Sequence, residues 1–178
     1  MSTSHHRSLR GRCTAQAMRP SPLGPVLWLR TEAGIAGLWF DAQRWFPAPF
    51  EAPDRPDDPL IAEAARQLDD YFAGRRLAFD LPLDLHGTAF QRAVWDALRA
   101  IAPGETRTYG DIARTVGAPS AVRAVGAAVG RNPVGIIVPC HRVIGRDGTL
   151  TGYAGGLDRK EVLLRLEGVL HPRQESLL

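Results

Sequence analysis

The chain has 178 residues, 44% hydrophobic and 23% charged, enough to bury the core of one domain or of two small ones. No stretch approaches the apolar length that a membrane span needs, and the N-terminus lacks the hydrophobic region of a signal peptide, so the composition predicts a soluble cytoplasmic protein. The net charge of +3 is unevenly placed: residues 1–19 carry four Arg and no acid, residues 20–104 carry 8 basic and 12 acidic groups, and residues 105–178 carry 10 basic and 7 acidic, so any polyanion-binding surface belongs to the rear half.

Residues 1–19 are rich in Ser, Arg and His, show no periodicity, and are expected to form a disordered tail. Val26 to Arg30 and Ile35 to Phe40 are β-rich runs around Glu32-Ala33-Gly34 and predict a hairpin. Trp39, Phe40, Trp45 and Phe46 could stack on bases, although packing in the core or on a strand face is the stronger reading. Five prolines between 47 and 59 make a loop. Leu60 to Ala73 places Ile61, Ala65, Leu68 and Phe72 on one helical face, with Gly74 after it as a stop. Leu77, Phe79, Leu81 and Leu83 then alternate as a strand or extended connector. This front module, residues 20–86, carries no candidate catalytic group and reads as scaffold.

The rear module, residues 87–168, opens with Thr88 as the cap of a helix whose Gln91 completes a capping box and whose Phe90, Val94, Leu98 and Ile101 face inward. Tyr109 to Val116 and Ser120 to Gly130 read as two helices around Gly117-Ala118-Pro119, a helix-turn-helix pattern that any helical hairpin would also show. The second helix is nearly bare of long side chains: Ala121, Ala124, Gly126, Ala127, Ala128 and Gly130. Gly126 costs about 1 kcal/mol against Ala in a helix, which points to a need for close approach, and so smooth a helix suits a narrow groove.

Ile136-Ile137-Val138 predicts a buried strand that stops at Pro139 and delivers Cys140, His141 and Arg142 at its end. A thiol is a nucleophile as thiolate, and His141 is a base within reach, directly if the chain turns there or otherwise through a water. The bland alternative is a small buried Cys beside a His bonded to a carbonyl. Gly145-Arg146-Asp147-Gly148 is a tight turn. Thr151 to Leu157 is a Gly-rich loop without the Lys and Ser/Thr of a phosphate loop. Asp158 to Glu167 is a last helix with Asp158 and Glu161 as its capping box and Gly168 as its end, and residues 169–178 form a frayed tail. Cys13 and Cys140 do not make a disulfide framework. His5, His6, Cys13 and His86 lack the paired spacing of a zinc site, so no metal is expected.

Pro139-Cys140-His141-Arg142-Val143 follows Arg123-Ala124-Val125-Gly126 and Asn132-Pro133 and precedes Gly152-Tyr153-Ala154-Gly155-Gly156-Leu157. In this order and at these spacings the four motifs resemble the O6-alkylguanine-DNA alkyltransferases, bacterial type, densely from Thr88 to Glu167 and more loosely from Ser21 to Leu85. Ser21-Pro22-Leu23-Gly24 resembles how relatives begin, which would make Met18 the genuine start. The resemblance implies an α/β protein: a small antiparallel sheet with a helix, ribonuclease H-like, followed by a helical, winged helix-turn-helix-like domain that carries the site. It implies DNA repair by irreversible transfer of an alkyl group, methyl above all, from O6 of guanine, and also O4 of thymine, to Cys140, once per molecule and without a cofactor. The partner would be double-stranded DNA containing O6-alkylguanine, bound by a monomer with no membrane association and no obligate protein partner.

By the same resemblance Glu167 orients His141, which takes the Cys140 proton through water, and the Tyr109 hydroxyl and the Ala154 N–H stabilise the departing guanine. Arg123 fills the stack after base flipping, on a DNA-facing surface with Ala124, Gly126, Ala127 and Tyr109. Val143, Tyr153, Ala154 and Gly155 line the base pocket, with the carbonyls of Cys140 and Val143 toward the exocyclic amine, while Asn132 and Lys160 hold structure near the site. Many relatives have Ser at the position of Ala154, so a hydroxyl contact is absent. Of three rivals, a non-catalytic alkylguanine-binding relative is disfavoured by Cys140, since such proteins commonly have Trp there, and a helix-turn-helix regulator by the lack of room for an additional metal-bearing domain; a Cys-His hydrolase would show turnover on an acyl substrate.

Overall fold

The computed structural model describes residues 9, 11–47 and 49–170. Strands β1 (Cys13–Arg19), β2 (Val26–Thr31) and β3 (Ile35–Phe40) form an antiparallel sheet in the order β1-β2-β3. The expected hairpin is therefore present, with a third strand in front of it. Leu29 pairs with Gly37 and Arg30 with Ile35, so Ala36 is an extra residue. This bulge lets Ile35 and Leu38 both face the main core while Ala36 and Trp39 join a smaller cluster with Leu9, Leu29 and Phe50. Gly37 is obligatory, because a Cβ there would lie 2.0 Å from the Trp39 ring.

The expectation of disorder through residue 19 is corrected by β1. Ala15 and Ala17 are fully buried, and Gln16 bonds to the 52–55 loop through its backbone and its side-chain amide. An Arg-rich composition concealed two small inward residues whose burial needs only alternation. Residues 1–8 and 10 lie outside the described residues. Met18 stands inside the strand, so a chain beginning there would lack most of it. Deleting residues 1–17 is expected to lower the melting temperature by roughly 5 °C or more, read by circular dichroism; an unchanged melt would mean that β1 carries no stability.

Helix α1 (Pro59–Phe72) starts on Asp58, whose carboxylate accepts the N–H groups of Leu60 and Ile61 and also pairs with Arg30. It buries Ile61, Ala64, Ala65, Leu68 and Tyr71. Residues 77–83 are an extended connector, with Leu83 bridging to Ile35.

In the rear module α2 (Ala89–Arg99) has the expected Thr88–Gln91 capping box, and Trp95 joins Val94 and Leu98 on its buried face. The Trp95 indole N–H donates to the Ala128 carbonyl and so ties α2 to the end of the second helix of the pair. That pair is α3 (Tyr109–Thr115) and α4 (Val122–Gly130). β4 (Arg107–Thr108) lies parallel to β5 (Val143–Ile144), and α5 (Leu157–Leu166) closes the module. The Asp158–Glu161 capping box is not formed: α5 is capped by Gly156 without a side-chain bond, and Glu161 pairs with Arg165 instead. Val169 and Leu170 are tied back to the Leu164 carbonyl. The expected fraying is thus incorrect for these two residues, and 171–178 lie outside the described residues.

The two modules meet at the free edge of β3. The Leu38 N–H donates to the Pro133 carbonyl and the Leu38 carbonyl accepts from Gly135. The same edge holds Pro82 and Asp84 through Ile35. An edge strand is thereby covered, and the segment leading to Cys140 is fixed to the front sheet.

Candidate active site

In the run Ile136-Ile137-Val138 the outer two residues are buried as expected and Ile137 is half-buried, but the run is a turn and not a strand. Ile136 adopts φ +68, uncommon for a β-branched residue, and Val138 bonds back to Val134. Asn132 holds this turn: its side-chain oxygen accepts the Val134 N–H, and its amide donates to the Val138 carbonyl at 2.7 Å and to the Cys140 sulfur at 3.1 Å. Tertiary hydrogen bonds therefore override the β propensity of the run.

Cys140, His141 and Arg142 form one turn of 3-10 helix, so the chain does bend where the thiol and imidazole sit. Burial pushes the Cys140 thiol up, while the Asn132 hydrogen bond and the positive charge of Lys160 pull it down. Burial dominates, and at neutral pH the resting sulfur keeps its proton.

His141 is fully buried, and burial lowers its pKa despite the carboxylate beside it. Its Nε2 lies 2.9 Å from Glu167 Oε1. Burial alone would raise the Glu167 carboxyl, but hydrogen bonds from Arg142 and then His141 outweigh this and hold it at about 2. An ionised carboxylate can only accept, so Nε2 carries the imidazole proton and Nδ1 presents a lone pair. Nδ1 is buried and has no protein hydrogen-bond partner. The tautomer is that of a general base.

Glu167 caps the C-terminus of α5, where the helix dipole disfavours a carboxylate. Arg142 compensates through two bonds of 2.7 and 2.8 Å, and the Tyr71 hydroxyl donates to Oε1 at 2.8 Å. Tyr71 comes from α1 of the front module, which is therefore more than scaffold. The sequence gives no sign of Tyr71, and it places Arg142 after the Cys-His pair without assigning it a partner.

Lys160 is fully buried, with its ammonium bonded to the carbonyls of Val143 at 2.5 Å and Thr151 at 2.7 Å. Burial lowers it to about 8, so it remains mostly charged at neutral pH and contributes field at the thiol.

A cleft of about 670 Å³ opens over this region, walled by Tyr109, Gly126, Ala127, Tyr153 and Ala154 among others. The Tyr109 hydroxyl is shared between the carbonyls of Thr151 and Gly152, at 3.2 and 3.1 Å, and must leave them to donate to anything else. Gly152, at φ +53, is required here, since a Cβ would stand 2.8 Å from that hydroxyl. Gly126 is not required for internal packing: its Cβ would meet the Tyr109 ring at an ordinary 3.8 Å. Arg123, Ala124 and Ala127 are exposed along α4, and Tyr153 and Ala154 are half-buried. Val143 and Gly155 are buried, the latter against the Tyr153 and Phe40 rings. The Val143 carbonyl accepts from Lys160 and the Cys140 carbonyl accepts the Val143 N–H, leaving each a second lone pair.

The front module also reaches the cleft. The Arg44 N–H donates to the Ala154 carbonyl, and Arg159 bridges Gly155 to Leu23. Trp39 and Phe40 are core, as expected, but Trp45 is 47% exposed in the cleft wall. Among the described residues no group of three His, Cys, Asp or Glu could hold a metal ion, and no helix is long and apolar enough to cross a membrane.

The family model described as 6-O-methylguanine DNA methyltransferase, ribonuclease-like domain, matches residues 16–85, and that described as 6-O-methylguanine DNA methyltransferase, DNA binding domain, matches residues 89–169. A methylated-DNA--protein-cysteine methyltransferase of Methanosarcina acetivorans is 51% identical over 85% of this chain and 97% of its own length. Its namesake in Mycobacterium leprae is 51% identical over 83% of this chain and 88% of its own. The crystal structure of Mycobacterium tuberculosis OGT in complex with DNA superposes with a TM-score of 0.80 at 46% identity, covering 86% of this chain and 92% of that one. With both domain models matched in order and half of the residues shared over nearly the full length of a relative, this chain belongs to the 6-O-methylguanine DNA methyltransferase family.

Proposed function

We propose that this protein repairs DNA by moving an alkyl group, methyl in the simplest case, from O6 of guanine to the sulfur of Cys140. The observation that carries the reading is the imidazole of His141, next in sequence to Cys140: ionised Glu167 holds its proton on Nε2 and leaves Nδ1 an acceptor with no partner among the described residues, while the buried Cys140 thiol keeps its proton. His141 Nδ1 takes the Cys140 proton through one water. The thiolate attacks the alkyl carbon; the S–C bond forms as the C–O6 bond breaks, and the electron pair stays on the guanine. Tyr109 donates to N3 of the base once it leaves the loop carbonyls, and the Ala154 N–H serves O6. The proton on His141 restores neutral guanine.

Asn132 positions the sulfur and Lys160 supplies positive charge to the thiolate. Val143, Tyr153 and Gly155 shape the pocket, with the free lone pairs of the Cys140 and Val143 carbonyls toward the exocyclic amine. Arg123, Ala124, Gly126 and Ala127 present α4 to the minor groove, and Arg123 occupies the space left by the flipped base. Two functional modules, a front one that includes β1 and runs to residue 86 and a rear one from residue 87, action as a monomer in the cytoplasm, and repair of O4-alkylthymine belong to the same reading.

A thioether has no hydrolytic exit, so the reaction is stoichiometric. With duplex O6-methylguanine in excess, guanine restored per protein is expected to plateau at one. Continued turnover would exclude this reading and favour a hydrolase.

A further inference from the structure

The cleft has a second wall that the repair chemistry does not use. The turn after β3 carries two non-glycine residues in the left-handed region, Ala42 at φ +56 and Trp45 at φ +65. Such conformations are costly for residues with a Cβ and persist only where the surroundings impose them. Here the Gln43 side chain accepts the Phe40 N–H, Phe46 bonds back to Gln43, and Arg44 is pinned to Ala154 of the active-site loop. The outcome is an indole held out into the cleft. Trp45 is 47% exposed, whereas Trp28, Trp39 and Trp95 are between 0 and 4%.

Two guanidiniums lie against this ring. Arg44 comes from the same turn, with its Cζ 5.0 Å from the ring centroid. Arg131 caps the C-terminus of α4, with its Cζ at 5.3 Å. Neither has a carboxylate partner among the described residues. Arg30, Arg66 and Arg75 of the front module, by contrast, are paired with acids. Two like charges gathered on one exposed indole leave their N–H forks without anions, and a phosphate diester is the anion whose geometry a guanidinium fork matches. Indole beside basic groups is also the composition that holds single-stranded nucleic acid, by stacking and charge together.

We propose that Arg44, Trp45 and Arg131 form a second contact to DNA, gripping the sugar-phosphate backbone of the strand that carries the extruded nucleotide where it enters the cleft. This rests on the repair reading above and extends it: the acidic front module contributes its own piece of the nucleic-acid surface, on the wall facing Tyr109, Gly126 and Ala127. On this proposal, polyanion binding extends beyond the rear half that net charge singles out. The summed charge of a module does not report where its few unpaired cations stand.

The test uses the full chain, with Cys140→Ala so that the bound base is not consumed, and a duplex oligonucleotide containing O6-methylguanine. Association constants at several salt concentrations are measured in that background for the otherwise wild-type chain, Arg44→Gln, Arg131→Gln and Arg44→Lys, with circular dichroism to establish that each is folded. Each lost phosphate contact reduces the slope of log K against log salt by about 0.9, so both Gln variants are expected to show that reduction and Arg44→Lys to restore it. Binding of DNA should also quench the emission of the one exposed indole, and Trp45→Phe should abolish that change. Slopes equal to that of the otherwise wild-type chain in both Gln variants, or a quench that survives in Trp45→Phe, would overturn the proposal. A wild type that binds no DNA and takes no methyl group would instead bring down the repair reading itself, so the two failures are distinguishable.

Discussion

Glu167→Gln is expected to slow alkyl transfer by about two to four powers of ten, the usual contribution of a positioned general base. The amide removes the ionised acceptor that keeps the imidazole proton on Nε2, and with it the guarantee that Nδ1 is the basic nitrogen. It also leaves Arg142, itself buried, without its counter-charge, which costs roughly 3–5 kcal/mol. The two consequences separate experimentally. Rates are taken under single-turnover conditions on protein that circular dichroism shows to be folded, and stability is taken against pH. The folded pKa of Glu167 is depressed to about 2 from an ordinary 4.5, so its stabilisation is complete above pH 4.5 and is lost as pH falls through about 2. The stability gap between wild type and Glu167→Gln should therefore be widest above pH 4.5 and close toward pH 2. An unchanged transfer rate in the folded variant would remove Glu167 and His141 from the chemistry.

Arg123→Ala should slow repair of duplex DNA by about ten- to a hundredfold, because an unstacking cost of a few kcal/mol is then less well compensated. Arg123 is exposed on α4, away from the buried network around Cys140. The same substitution should slow reaction with a free O6-alkylguanine base far less, since no stack has to be opened, and so the ratio of duplex to free-base rate should fall. Tyr109→Phe is the comparison: it removes a hydrogen-bond donor to the base and should depress both rates together. Equal losses on both substrates for Arg123→Ala would assign Arg123 to the fold.

Local signals were readable where chemistry is local. The Thr88–Gln91 capping box, the 26–40 hairpin and the amphipathic α1 follow from spacing and side-chain reach over a few residues. Legibility failed wherever a distant partner decides. Three β-branched residues at 136–138 read as a strand, yet Asn132 and the edge of β3 impose a turn. Tyr71 looks like one more core aromatic until its hydroxyl is seen on a carboxylate 96 positions away. Trp45 resembles Trp39 in composition and differs in backbone: φ +65 turns it outward. The roles proposed for Cys140, His141 and Glu167 rest on motif resemblance, whereas the placement of the His141 proton on Nε2 required the distances and the burial.

The most direct measurement is the mass of the intact protein, followed by a peptide map, after incubation with excess duplex containing O6-methylguanine. Cys13 serves as the internal control: it is half-buried, its thiol donates to the Leu9 carbonyl, and burial and then Asp84 raise its pKa. The account predicts that every active molecule gains one methyl in place of a thiol hydrogen, on the peptide containing Cys140, and that Cys140→Ala gains nothing. Repaired DNA with unmodified protein, or a methyl on Cys13, would contradict it.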